Sequence, residues 1–127
     1  MSGAHAYATM NDDEHKDMEA IGTELNSLLT DPEPDRSRVI TSLNMLKASM
    51  LLHFAHEESV MKERNYPNFF HHRRSHNYIM TELSVFIASY ATGRGDSLAD
   101  IWPHLKKTLD THMSRYDDDL TNFLDRA

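Results

Sequence analysis

The sequence predicts an all-α fold, an up-down-up-down antiparallel four-helix bundle, and three observations carry that prediction. Turn-forming residues cut the chain at Asp31-Pro32-Glu33-Pro34-Asp35, at Asn65-Tyr66-Pro67-Asn68 and at Thr92-Gly93-Arg94-Gly95-Asp96-Ser97, leaving four long segments. Within each segment apolar residues recur three and four apart rather than alternating, the period of a helix and not of a strand. Connections this short between long helices favour antiparallel neighbours. A chain of 127 residues can bury one core and not two. Residues 1–127 are therefore expected to form a single domain, with a short N-terminal arm over about 1–11.

The first segment, 12–29, presents an inward row of His15, Met18, Gly22, Leu25 and Leu29. The second, 37–64, presents Val39, Leu43, Leu46, Met50, then His53 and Glu57, then Val60. Pro67 suits the first turn of the third segment, 67–91, because its missing N–H would find no partner there in any case. The row that follows is Phe69, His72, His76, Ile79, Leu83 and Ile87. Ser97 with Asp100 is a weak capping box for the fourth segment, 98–125. Its rows are Leu105, Leu109, His112, Tyr116 and, adjoining, Leu109, Met113, Asp117, Leu120, Leu124. All four helices thus carry polar side chains at core positions without breaking the apolar period.

Composition removes several classes of function. Lys plus Arg number 13 against 20 Asp plus Glu, for a net charge of −7. That balance offers no general attraction to phosphate backbones or anionic lipid, so neither nucleic acid nor membrane is expected as a partner. No basic-then-apolar leader and no long apolar run is present, which fits a cytoplasmic protein. The absence of Cys excludes disulfides, thiolate zinc sites, iron–sulfur clusters and cysteine nucleophiles. The 9 His and 8 Met stand out against this background.

Residues on different helices share a metal only if they lie at one height. With turn centres near 33, 66 and 94, folding the chain back brings His15, His53, Glu57, His72, His76, His112 and Asp117 to within about 3 to 5 Å of one level, at about 1.5 Å of rise per residue. So polar a layer inside a bundle needs a partner, since each buried polar or charged group left alone costs several kcal/mol. A metal supplies it. The four-residue spacings His53 to Glu57 and His72 to His76 place both members of each pair about 40° apart on one face. His112 to Asp117 is five, nominally about 140°, which requires a wide inward stripe or a local π-bulge. If both carboxylates bridge, five imidazoles and a shared oxo or hydroxo group bring the total to about eleven bonds, one short of two octahedra. The set therefore suits two ions with one open position. Nitrogen and oxygen donors without sulfur favour iron, with manganese an alternative and zinc less comfortable.

The runs His53-Phe54-Ala55-His56-Glu57-Glu58-Ser59-Val60-Met61, Tyr66-Pro67 followed by His72-Arg73-Arg74-Ser75-His76, and His112-Met113 continuing to Asp117 resemble the hemerythrin family, particularly its single-domain bacterial members. The likeness spans nearly the whole chain from the acidic stretch before His15-Lys16. It implies a bundle holding two iron ions (Fe2+/Fe3+) with an oxo or hydroxo bridge and binding dioxygen reversibly, for transport, storage or sensing. By this resemblance His72, His76 and His112 hold the six-coordinate iron, His15 and His53 hold the iron with the vacancy, and Glu57 and Asp117 bridge both. Two positions depart from the family pattern: Thr108 stands where a Trp is common, and Tyr7 substitutes for an aromatic residue ahead of the first ligand. Leu109 and Met113, flanking His112, are the expected walls of the oxygen pocket, with Met18 and Met50 beside them. The rival expectation is an enzyme, a di-iron oxidase or peroxidase, or a nitric oxide-handling protein. Carboxylate-rich di-iron bundles stabilise higher oxidation states, and the histidine-rich set here lacks that donor charge, which favours binding over turnover. His5, His56, His71 and His104 are expected to face solvent, and Glu58 to be a supporting acid rather than a third bridge.

Overall fold

The computed structural model describes residues 2–93 and 98–126, with side chains over 10–93 and 101–126. The side chains of His5 and Tyr7 and the cap at Ser97 and Asp100 lie outside the described residues. Helices α1 (Ser2–Leu29), α2 (Arg36–Glu63), α3 (Phe69–Ala91) and α4 (Leu98–His112) are followed by a π-helical turn, Met113–Asp117, and by α5 (Asp118–Arg126). The last three run on without a break, so the chain makes four helical rods, and no strand occurs among the described residues. α1 packs on α2, α2 on α3, α3 on α4, and α1 also meets α4 and α5, which closes the set into a helical bundle.

Helix ends follow local chemistry. Asp35 caps α2 by accepting the Arg38 N–H at 3.3 Å. At the other end Asn65 takes a left-handed φ of 53°. The Tyr66 N–H then reaches the Met61 carbonyl at 2.9 Å and the Asn65 N–H reaches that of Lys62 at 3.3 Å, a Schellman cap. This cap runs through Tyr66, which is why α3 starts at Phe69 and Pro67 sits in the turn rather than in the first helical turn. Gly93, at φ 83°, closes α3 with its N–H on the Tyr90 carbonyl at 3.2 Å. α1 begins at Ser2, so the stretch expected as an arm ahead of residue 12 has helical backbone. Ala4, Ala6 and Ala8 are strong helix formers and no proline interrupts them.

Two apolar clusters sandwich the polar layer. The larger includes Met18, Leu25, Leu43, Leu46, Ile79 and Leu83, and the smaller is Met61, Tyr66, Leu120 and Leu124. Met61 rather than Val60 completes the buried stripe of α2, and α3 buries Phe86 and Tyr90 while Ile87 is only half-buried. A helix of 3.6 residues per turn drifts about 20° per heptad, enough to move the stripe by one position along elements of this length. At one end the Trp102 indole N–H donates to Asn26 Oδ1 at 2.7 Å and the Arg36 guanidinium donates to the Tyr90 carbonyl at 2.8 Å. At the other end the Tyr66 hydroxyl and the Asn68 amide both donate to Asp119. Together these bonds hold the rods in register around the layer between them.

Gly22 lies inside α1, and a Cβ built there would meet nothing within 4 Å. Since glycine in a helix interior costs roughly 0.5–1 kcal/mol relative to alanine, Gly22→Ala is expected to stabilise the fold by about that amount. Urea unfolding measures it; a loss of stability would mean that packing demands the glycine.

Candidate metal centre

All seven predicted donors meet at one level. α2 contributes His53 and Glu57, α3 contributes His72 and His76, the end of α4 contributes His112, the π turn contributes Asp117 and α1 contributes His15. Six of them are buried, at 2% exposure or less, while the His15 side chain is 25% exposed. The π turn resolves the awkward five-residue spacing. Widening the helix by one residue turns Asp117 to the same side as His112, with Oδ1 3.1 Å from Nε2. Asp118 and Asp119 stay exposed, and Asp119 serves the Tyr66 and Asn68 contacts at the end of the bundle.

The donors form two groups that share a residue. Ligand atoms of Glu57, His72, His76, His112 and Asp117 all lie within 4.8 Å of one another, and so do those of His15, His53 and Asp117. Asp117 divides its oxygens between them. Oδ1 lies 3.0 Å from His72 Nε2 and 3.1 Å from His112 Nε2, whereas Oδ2 lies 3.3 Å from His15 Nε2 and 3.5 Å from His53 Nε2. Glu57 Oε1 is 3.0 Å from His76 Nε2 and 3.4 Å from both His72 Nε2 and His53 Nε2.

Several of these short contacts are not hydrogen bonds. Both ring nitrogens of His72, His112 Nε2 and both Asp117 oxygens are buried without a hydrogen-bond partner, although nitrogen and oxygen approach to 3.0 Å. Buried polar atoms left in that state cost free energy that native folds rarely concede. His15 Nε2 and His53 Nε2 share a hydrogen bond at 3.1 Å, as do His76 Nε2 and Glu57 Oε1 at 3.0 Å, but the orphaned atoms crowd together without one, an arrangement that suits a cation, and a nitrogen and oxygen set without sulfur fits a first-row metal ion.

A further set of side chains aims the imidazoles from behind. Each Nδ1 is hydrogen-bonded outward, His53 with Glu14 Oε1 at 3.0 Å, His76 with Glu58 Oε2 at 3.0 Å and His112 with Ser75 Oγ at 2.6 Å, and an Nε2 given over to a cation leaves Nδ1 as the donor in these bonds. Phe54 stacks on His76 at 3.9 Å between ring centroids, and Tyr116 stacks on His112 at 5.3 Å. Glu58 behaves as the supporting acid expected of it. Glu14 and Ser75 were not identified from sequence. Each adjoins a donor, His15 or His76, but the histidine each one serves is on another helix, so no single-helix pattern reveals it. His56 is half-buried rather than solvent-facing, because the second oxygen of Glu14 holds its Nδ1 at 2.7 Å. His71 and His104 are exposed as expected.

Charge is concentrated here. Burial opposes protonation of His53 and His72, yet Asp117, Glu57 and, for His53, Glu14 outweigh it and raise both to about 9. Burial likewise works against ionised Glu57 and Asp117, but the surrounding histidines hold both below the usual carboxylate range. For His112 burial prevails and its pKa is lowered.

A cleft of about 340 Å³ opens beside His15 between α1 and α4. Leu109 and Met113, the expected wall residues, both line it, together with Met18, Gly22, Leu46 and Trp102. Met50 instead belongs to the apolar core.

A family model described as Hemerythrin HHE cation binding domain matches residues 8–124. No curated protein and no solved structure matches the chain.

Two outcomes follow from the charges and the supporting bonds. His53 and His72 add stability to the metal-free fold that is whole below about 6.5 and fades as pH rises through about 9, while Glu57 and Asp117 add stability that is lost only in acid. Metal-free stability should therefore decline between those two values, and loading at neutral pH should expel protons from the two histidines. Calorimetric titration in buffers of different ionisation enthalpy reads that release, and identical heats in all buffers would contradict it. Glu14→Ala should weaken metal affinity by roughly 10–100-fold, as loss of an outer partner does at other metal sites; chelator competition reports the change, and unaltered affinity would show that Glu14 does not aim His53.

Proposed function

The chain belongs to the hemerythrin HHE cation-binding domain family, and on that premise we propose that it binds dioxygen reversibly at a pair of iron ions. The observation that carries this reading is the division of Asp117, one oxygen facing His72 and His112 and the other facing His15 and His53. A carboxylate so placed serves two ions rather than one. In this reading His72, His76 and His112 would hold one iron, His15 and His53 would hold the other, and Glu57 and Asp117 would serve both, an oxo or hydroxo bridge completing the centre. Three histidines on one side and two on the other leave the open position on the side of His15. That is also the side on which the cleft lies.

The proposal takes residues 1–127 as one domain with its rods in up-down-up-down order. The cross-links at the two ends support that order. One end joins the last turns of α1 and α3 to the first turns of α2 and α4, through Asn26, Tyr90, Arg36 and Trp102. Tyr66, Asn68 and Asp119 lie together at the other.

When bound, the two irons supply the electrons for taking up dioxygen and recover them on its release. The protein's part is positional and electrostatic. Glu14, Glu58 and Ser75 fix three imidazoles by their Nδ1 protons, and Phe54 and Tyr116 brace two of them from the side. Leu109 and Met113 present apolar walls in the cleft that His15 borders, where they offer water no hydrogen-bond partner. Neutral imidazoles outnumber carboxylates five to two in the donor set. They lend less negative charge than a carboxylate-rich site would, which favours carriage over oxidation of a substrate. Among the described residues no helix is long and apolar enough to cross a membrane, and the proposed setting is the cytoplasm.

Iron-loaded protein, reduced without air and then exposed to oxygen, should develop a visible absorption band that disappears under argon. Rapid, irreversible conversion to an oxidised form would instead assign the centre to redox turnover or nitric oxide chemistry.

A further inference from the structure

We propose that the cleft between α1 and α4 is the passage by which a small uncharged guest reaches the His15 side of the centre, and that Gly22 is the position that keeps it passable. The inference rests on the dioxygen reading for the identity of the guest, but the passage itself rests on shape.

Of the seven donors, only His15 is appreciably exposed, and it is the one that borders the cleft. The other six are closed off by the two apolar clusters, so a guest approaching from solvent meets the centre here. Gly22 follows His15 by seven residues and Met18 by four, which places all three on one face of α1. That face looks into the cleft.

Gly22 has no structural reason to be glycine. Its backbone is helical without a positive φ, and a Cβ would touch nothing within 4 Å. A residue that weakens its helix and relieves no crowding has one evident consequence, the open space beside it.

The lining suits a neutral molecule. Met18, Leu46, Leu109 and Met113 are apolar, while Glu19 and Asp110 set two carboxylates in the lining against a single ammonium, Lys106, already paired with Asp110 at 3.1 Å. Anions are thereby disfavoured and dioxygen is not. The hydrogen bond from Trp102 to Asn26 holds α4 against α1 within the same lining. A volume of about 340 Å³ is on the order of ten times the share of one water molecule in the liquid. The cleft is therefore a corridor rather than a fitted pocket for a diatomic molecule.

Xenon is the probe of the passage, because it reports apolar space without any chemistry at the metal. Crystals under xenon pressure should show the gas in the cleft of the wild-type protein, and Gly22→Leu, whose side chain fills the space, should lose it while keeping its metal content and a melting temperature no lower than that of the wild type. In the iron-loaded protein Gly22→Leu should slow dioxygen association and dissociation alike, on the order of tenfold, and leave affinity unchanged, as a kinetic barrier does. Gly22→Ala, which folds without crowding, should fall between the two. A cleft that takes up no xenon, or unaltered association rates in Gly22→Leu, overturns the proposal. Irreversible uptake of dioxygen by the wild type would defeat the carriage reading alone, and slower uptake in Gly22→Leu would still uphold the passage.

Discussion

A layer of five imidazoles and two carboxylates held inside an apolar bundle is the constraint on which the rest of this structure depends. Such a layer is unfavourable unless every donor finds a partner, and only some of the donors find one in each other, His15 with His53 and His76 with Glu57, which leaves His72, His112 and Asp117 with atoms suited to a cation. Asp117 Oδ1 and His72 Nε2 approach to 3.0 Å as an ion pair whose alignment is too poor for a hydrogen bond. Protonation of His53 and His72 compensates for part of the negative charge in the metal-free fold. The same two protons then stand in competition with the metal, so folding, pH and loading are coupled through a few side chains.

The surrounding architecture serves that layer. Apolar clusters above and below it supply the burial that drives folding, and contacts at both ends keep four rods at a common height. Within the layer the outward bonds of His53, His76 and His112 fix which ring nitrogen faces inward. The layer is also asymmetric. Three histidines gather on its closed side, while His15 and His53 share the side next to the cleft.

Much of the centre was legible from spacing alone. Four-residue intervals put His53 with Glu57 and His72 with His76 on one face each, and counting from the turns put His15 and His112 at the same level. The five-residue interval to Asp117 was the exception, because an ideal helix turns that side chain away; the π turn over Met113–Asp117 is the device that brings it back. Glu14, Ser75 and the half-buried state of His56 were not legible. Each depends on a contact between helices, and periodicity within one helix carries no information about which face of another lies opposite. Pro67 misled for a related reason, since the cap that ends α2 occupies the residues just before it.

The sequence by itself determined the helical class, the four segments and which seven polar side chains meet in one layer, because these follow from local propensity and from the periods at which residues recur along one rod. Tertiary structure decided which oxygen of Asp117 faces which histidines, which acids stand behind the imidazoles, and that Gly22 and His15 open onto one cleft. Those features depend on distances between separate helices, which are set by side-chain packing and have no counterpart in the spacing of residues along the chain.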